Sequence, residues 1–469
     1  MLKKIFNELK NNSFKRIMIE LSLLVVLFNI NLYIGIALLS IVLFEIIICK
    51  DYKNLLYIFL FLSFNDEILK LDILRGSISR IVMILIILKI AIKILKERIK
   101  PTSSEICVII FFAISTIIGI IKMDSIVSSL ISLLNIVVIV LFSIILKEKK
   151  KENIEQFIEK ICYVIVISVL CGTFYGLLAG NFLGYMQGSE MVYRFNGSYE
   201  PNFMCMYINL AILSLITIKN KINKILYFVL VAFFININIL TASMTGLLSL
   251  FVSLVAYFFM FIKERKIIIK NTLIIAIIGI LIFGVFKVLK PSYNKNFIEG
   301  EHRIINKVES EQDELESREK LEDVDVEDDA IAYRFKRINK LLEDGKIDEM
   351  TSGRTALIRT FIKASFKRPL INILFGNGIT DKKIYTKFFG RKCLAHNSYA
   401  DFLYNFGIVG FLLVIKYIFS KTIKNTFLST NIINTMYCKN IKVIRILLLI
   451  YAFTLSFYTK RMFLIFFLI

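Results

Sequence analysis

Tryptophan is absent from the chain, and histidine occurs only at His302 and His396. Proton transfer by imidazole must therefore rest on one of two residues, and His302 reads as an ordinary exposed loop side chain. Proline occurs four times, at 101, 201, 291 and 369. None interrupts an apolar run: Pro201 suits the first turn of a helix, and Pro291 is expected to follow the end of one. The seven cysteines mostly lie inside apolar runs, with no CxxC and no paired spacing. That excludes a disulfide framework and leaves them as small hydrophobes. There is no Walker loop, HExxH, GxSxG or dinucleotide fingerprint. Mid-membrane charge is scarce, with Glu45 close to a cytoplasmic end, and no internal repeat is evident. Both facts weigh against an ion-coupled transporter, which usually needs buried ionisable groups near the bilayer midplane.

What the chain has in excess is apolar sequence. Hydrophobic residues make up 57% of it, with a mean hydropathy of +0.70. A membrane span needs roughly 20 apolar residues to cross about 30 Å of hydrocarbon. Runs of this kind lie near 17–30, 32–49, 54–64, 78–96, 105–121, 126–146, 158–179, 201–218, 225–240, 243–262, 267–289, 396–418 and 443–458. They predict an all-α, polytopic membrane bundle of about 12 to 13 helices. The first run lacks a small-x-small cleavage site and is expected to stay as a span. The third is short for a crossing, and the tail 462–469, about 12 Å as a helix, cannot span alone.

The formal net charge of +22 does not point to nucleic acid, because the basic residues sit in short loops between apolar runs. With a cytoplasmic N-terminus, the inner segments 1–16, 50–53, 89–100, 147–160, 219–224, 263–270 and 419–442 hold 28 Lys/Arg. The short outer segments 65–77, 122–125, 180–200, 239–242 and 458–461 hold 6. The bias follows the positive-inside rule. It divides the chain into a transmembrane bundle of about eleven spans (1–289), a large extracytoplasmic loop (290–395) and C-terminal transmembrane helices (396–469). An insert at 309–329 carries 12 acidic and 2 basic residues and reads as solvated or disordered. The DxD of Asp323 and Asp325 falls inside it, where such a pair arises easily by chance. From 331 the loop turns basic and amphipathic, as helices on a membrane surface do.

Three groups on the outer side suit a phosphate-bearing substrate. Arg194 lies in YRFNGSYEPN, Arg354 in TSGRTALIRT, and His396 begins HNSYADFLYNFGIVG. Guanidinium groups clamp a diphosphate through charge-assisted bidentate hydrogen bonds. A histidine titrates near neutrality and can take a proton from an attacking hydroxyl. Each also has a plain structural reading: interfacial anchors for the arginines, a helix cap for the histidine and its neighbour.

Taken together, these stretches resemble the polytopic O-antigen ligase and polysaccharide polymerase superfamily of bacterial surface-glycan assembly. Arg194 to Gly197, with Pro201-Asn202 opening a span, is similar to the family's R-x-x-G-x-x-x-P-N stretch. Ser352-Gly353-Arg354, then Leu374-Phe375-Gly376-Asn377-Gly378, is similar to its S-G-R helix start and later G-x-G turn. His396-Asn397-Ser398-Tyr399, then Gly407-Ile408-Val409-Gly410, is similar to its H-N block and glycine-punctuated helix. The blocks cover roughly 190–415. The chain departs from the pattern in Thr241-Ala242-Ser243-Met244-Thr245-Gly246, where members often carry S-R-x-G and Met244 takes the arginine's place. Either Arg359, Arg368 or Arg391 substitutes for that cation, or it is dispensed with.

The resemblance implies a GT-C-like fold and a glycosyltransferase that uses no metal and no cofactor. It would work on the outer face of the bacterial cytoplasmic (inner) membrane. The donor would be a glycan on undecaprenyl diphosphate, with membrane lipid, a chain-length regulator and a flippase as partners, and no nucleic acid. Arg194 and Arg354 would hold the diphosphate and His396 would act as base. Asn202, Asn397, Arg359 and Arg391 would line the substrate. Polymerisation of O-antigen, capsule or exopolysaccharide repeat units is the leading expectation. Ligation of glycan to another acceptor is the nearest rival. A lipid-linked oligosaccharide flippase or a scaffolding membrane protein are alternatives of another class.

Overall fold

The computed structural model describes the chain outside residues 1–12, 29, 50, 67, 72–75, 122–125, 149–153, 188–189, 198–199, 306–338, 346–353, 379–383, 387–390, 394, 415, 417–435 and 453–469. Helices occupy the apolar runs: α1 (Ser13–Phe28), α2 (Leu32–Ile48), α3 (Tyr52–Phe64), α4 (Ile78–Lys96), α5 (Ser103–Ile121), α6 (Ile126–Glu148), α7 (Ile154–Leu178), α8 (Pro201–Thr217), α9 (Lys224–Leu240), α10 (Met244–Met260) and α11 (Arg265–Ile305). After these come α12 (Arg354–Phe366), α13 (Leu370–Phe375), α14 (Ser398–Val414) and α15 (Met436–Ala452). Segments 103–121, 155–178 and 262–288 are long and apolar enough to cross a membrane, and several shorter apolar helices accompany them. The all-α polytopic expectation holds. Three two-stranded antiparallel ribbons are added to it: β1–β2 (Lys70–Leu71, Gly76–Ser77), β3–β4 (Phe182–Gln187, Glu190–Phe195) and β5–β6 (Ile384–Thr386, Arg391–Cys393). The acidic insert and its DxD lie outside the described residues, as do Ser352 and Gly353.

The chain divides into two compact units: residues 1–160 with 341–469, and residues 161–340. In the first, α3 is wrapped on every side. Leu55 to Leu62 are at most 1% exposed, with α1 and α4 packed against the helix. At 13 residues it is about 20 Å long, short of the hydrocarbon thickness. A helix that is apolar all round belongs inside protein, where it need not match the lipid. Charged side chains link neighbouring helices. Arg16 pairs with Glu45, joining α1 to α2. Lys89 donates to the carbonyls of Ile46 and Ile47, the last turn of α2, where a cation complements the helix dipole.

In the second unit α8 is the inner helix, buried from Met204 to Thr217, with α9 and α10 against it. Pro201 stands at its first turn as expected. By contrast, none of the apolar window at 262–288 is buried; Leu273, Ile277, Ile280 and Leu281 face outward, as lipid-facing side chains do. Pro291 does not follow the end of a helix, because α11 runs on to Ile305. It sits just past Val288, where the apolar window stops. There the carbonyl that proline leaves unpaired can be met by water.

Apolar tails attract leucine as well as another helix does, so burial alone drives little association between spans. Close packing and polar contacts matter more. Across α8, α9 and α10 run Cys205 Sγ to Asn238 Oδ1 (2.7 Å), Asn238 Nδ2 to Asn209 Oδ1, and Asn209 Nδ2 to the Gly246 carbonyl (2.8 Å). These four residues are buried or nearly so.

Candidate functional site

In the unit 161–340, Arg194 ends a hairpin. β3 and β4 pair in register from Phe182↔Phe195 to Gln187↔Glu190, and the rings of Phe182 and Phe195 meet edge to face at 5.2 Å. The chain then turns at Gly197, whose φ is +52°. A Cβ built on Gly176 of α7 would lie 2.4 Å from Gly197 Cα, so glycine at both positions lets the two backbones touch. Asn181 closes the turn by donating to the Gly197 carbonyl at 2.9 Å.

The turn brings Arg194 inward, where it is 5% exposed. Its Nε donates to the Thr241 carbonyl and its Nη2 to Asn202 Oδ1, both at 2.9 Å. Ser243 Oγ donates to the same Asn202 oxygen at 2.9 Å, and Asn202 Nδ2 donates to Glu200 Oε1. Thr241 presents its carbonyl from the end of α9. The next residue, Ala242, has φ +46°, a conformation costing roughly 1–2 kcal/mol in a residue with a Cβ. Ser243 caps α10, accepting from Gly246 N at 3.3 Å. Met244 is the first residue of α10 and half-buried.

In the other unit, Arg354 opens α12 and His396 stands two residues before α14. Phe361 of α12 and Tyr404 of α14 stack edge to face at 5.3 Å. Ala395, Ala400, Phe361 and Tyr404 form one buried apolar cluster. Arg354 and His396 stand at the starts of these two packed helices, within reach for the Arg354 charge to act on the imidazole. His396 has φ +49°, which histidine tolerates better than most residues. The residue is exposed, yet the protein packed beside it partly desolvates the imidazole. That desolvation, first, and the Arg354 guanidinium, second, hold its pKa below the usual 6.5. A neutral imidazole beside a fixed cation is the pairing a general base needs when negative charge must be held nearby.

Asn397 is 3% exposed and caps α14, its Oδ1 accepting from Ala400 N at 2.8 Å. Arg359 is on the exposed side of α12. Arg391 is in β6, paired with Thr386. Arg368 is committed to α14: its Nη1 donates to the Tyr404 carbonyl at 3.0 Å, and its guanidinium carbon lies 4.4 Å from the Tyr404 ring centre. The glycine turn explains itself by contact. Asn377 N and Gly378 N both donate to the Asn405 carbonyl at 3.0 Å. A Cβ on Gly376 would lie 2.1 Å from that oxygen, and one on Gly378 2.4 Å from Gly119 N of α5. α14 breaks at Gly407, with φ +64°, against Leu374 and Gly376.

Arg354 and His396 thus share one unit with Asn397, Arg359 and Arg391; Arg194 and Asn202 share the other. Sequence reading passed over Glu200, Thr241 and Ser243 as partners of Arg194. The S-x-x-G spacing of Ser243 and Gly246 was a visible helix-start signal.

Residues 226–415 match the family model described as O-antigen ligase. The resemblance read from the motifs to the O-antigen ligase and polysaccharide polymerase superfamily is therefore borne out. The match takes in the Arg354 and His396 blocks; Arg194 and Asn202 precede it. No curated protein and no solved structure matches the chain.

Proposed function

We propose that this membrane protein, whose residues 226–415 carry the O-antigen ligase family domain, polymerises oligosaccharide repeat units linked to undecaprenyl diphosphate. The product is a surface polysaccharide, made on the outer face of the bacterial cytoplasmic membrane. The observation that carries this reading is the placement of Arg354 and His396 at the starts of α12 and α14, two helices packed through Phe361 and Tyr404, within the family-matched stretch.

The acceptor hydroxyl attacks the anomeric carbon of the donor. His396 takes its proton as the new glycosidic bond forms. The bond from that carbon to the diphosphate oxygen breaks, and the lipid diphosphate leaves with the electron pair. Arg354 and Arg194 are each assigned to the charge on the departing diphosphate, the electrostatic contribution expected to matter most. With arginine carrying that charge, the reaction is assigned no metal. The loop 290–395 is assigned the outer side, in keeping with the basic-residue bias. Asn397 holds His396 through the α14 cap; Arg359 and Arg391 are assigned to the glycan.

The name of the matching family favours a second reading, ligation, which differs only in the acceptor. In a polymerase the acceptor is the terminal sugar of another lipid-linked unit. The test is to supply the purified protein with lipid-linked repeat units alone. A ladder of longer lipid-linked products supports polymerisation. Transfer only after another acceptor is added establishes ligation instead. In cells, His396→Ala and Arg354→Ala should each insert normally and yield single repeat units; wild-type chain length in both would overturn the assignment.

A further inference from the structure

We propose that Glu200 and Ser243 are positioning residues for Arg194, acting through Asn202 as a neutral spacer. The inference rests on the reading of Arg194 as a diphosphate-binding cation.

A carboxamide has one accepting end and one donating end. At Asn202 the accepting end meets two donors, Arg194 Nη2 and Ser243 Oγ, each at 2.9 Å. The donating end meets Glu200 Oε1. A reversed amide would set NH₂ against two donors and the carbonyl against a carboxyl oxygen. Glu200 on one side and the donors on the other thus hold the amide in one orientation. Ser243 has no choice of role either. Its oxygen accepts from Gly246 N at the start of α10, so its single hydrogen goes to Asn202.

The spacer matters because of charge. Glu200 precedes Pro201, two residues from Asn202, and is linked to Arg194 through the amide. A carboxylate directly on a guanidinium makes a bidentate, charge-assisted pair, which would compete with a diphosphate for the same hydrogens. The acceptors seen on Nε and Nη2, the Thr241 carbonyl and the Asn202 amide, fix the side chain without bringing a formal negative charge. Thr241 and Ser243 are fully buried and flank the left-handed Ala242. The strained link sets both the carbonyl and the hydroxyl on the Arg194 side of the helix junction.

The test uses the full chain in lipid nanodiscs, with undecaprenyl diphosphate as the probe. The readouts are Kd and thermal midpoint, with turnover on lipid-linked repeat units alongside. Asn202→Asp, made together with Glu200→Gln so that the glutamine NH₂ donates to the new carboxylate in place of the lost Asn202 bond, should weaken binding about tenfold, the scale of one charged hydrogen bond, with no fall in thermal midpoint. A merely structural role would leave binding intact in so well-paired a variant. Glu200→Ala should weaken binding several-fold, and Glu200→Gln, which still accepts from Asn202, should restore it to about wild type. In turnover these losses should raise KM more than they lower kcat. If Arg194→Ala loses binding while the double variant and Glu200→Ala both bind like wild type, the positioning role is overturned and the reading of Arg194 stands. If Arg194→Ala itself binds like wild type, that reading falls and the inference with it. Should Glu200→Ala fail to fold, the double variant decides the matter by the same criterion.

Discussion

The guanidinium of Arg368 lies over the ring of Tyr404, 4.4 Å from its centre, while its Nη1 donates to the same residue's carbonyl at 3.0 Å. Its Nε also donates to the Ser365 carbonyl. One side chain therefore locks the end of α12 to the middle of α14, and through them the separation of Arg354 and His396. Arg368→Ala removes the stacking and the carbonyl bond, together worth about 1–3 kcal/mol. Arg368→Lys keeps the charge and loses the planar fork. The expected order of thermal stability in detergent, and of polymer yield in cells, is wild type, then Lys, then Ala. Equal stability of all three would show that the clasp is not needed.

Glycine replacement should sort by contact, not by position in the sequence. Gly376, Gly378 and Gly407 have φ of +80°, +94° and +64°, and an added Cβ on each would come within 2.5 Å of backbone atoms. Alanine at any one combines a backbone clash with a strained φ, which alone costs about 1–3 kcal/mol. Each variant should lose folded protein. Gly284, in the apolar part of α11, has nothing within 4 Å of its Cβ position. Gly284→Ala should therefore be neutral or stabilise the helix by about 0.5–1 kcal/mol. Fluorescence-detected gel filtration of the four variants separates these outcomes.

Much of this was legible in the sequence. Apolar runs located the helices because a span must satisfy its own backbone and face lipid. The β3–β4 ribbon reads in the sequence only as part of the outer loop 180–200, since the stretches flanking Gly188-Ser189, a two-residue turn signal, alternate only weakly. The glycines of 374–378 and 407–410 were visible as a pattern. What they touch was not: the Asn405 carbonyl is about thirty residues away along the chain from Gly376. Thr241 as the acceptor for Arg194 depends on the left-handed turn at Ala242, which alanine does not advertise. Met244 takes the place where the family pattern has a cation, with Arg368 among the possible substitutes. Arg368 is held by Tyr404, which disfavours it in that role.

The pH dependence of turnover should carry the mark of Arg354. Desolvation and that guanidinium both disfavour the charged imidazole, so the His396 pKa lies below 6.5. If His396 is the base, as proposed, it stays neutral into mildly acidic solution, and the acid limb of kcat/KM should fall below 6.5. Stability has the same sign. The unfolded chain takes up a proton as pH falls past about 6.5 and the folded chain does so only lower down, so His396 costs stability progressively across that window. Arg354→Gln removes the second cause and should move the residual acid limb upward. Arg354→Lys, keeping the charge, should leave the limb near its wild-type position. A limb that stays put in Arg354→Gln would mean that the two side chains do not communicate.

The role proposed for His396 as base is combined with an unusual backbone, and the two can be separated. Its φ of +49° is tolerated by asparagine about as well as by histidine, whereas a β-branched residue there is strained. His396→Asn should therefore insert and fold like wild type, with the α14 cap at Asn397 intact. Asparagine cannot take a proton, and loss of a general base costs about 10²–10⁴-fold in rate. The expected result is normal protein with turnover on lipid-linked units reduced by that factor. His396→Val should add a loss of folded protein to the same chemical defect. If His396→Asn turned over at the wild-type rate, the imidazole would be a structural cap and the base would have to be sought elsewhere. If both variants misfolded alike, the imidazole itself, and not the left-handed backbone, would be what the fold requires at this position.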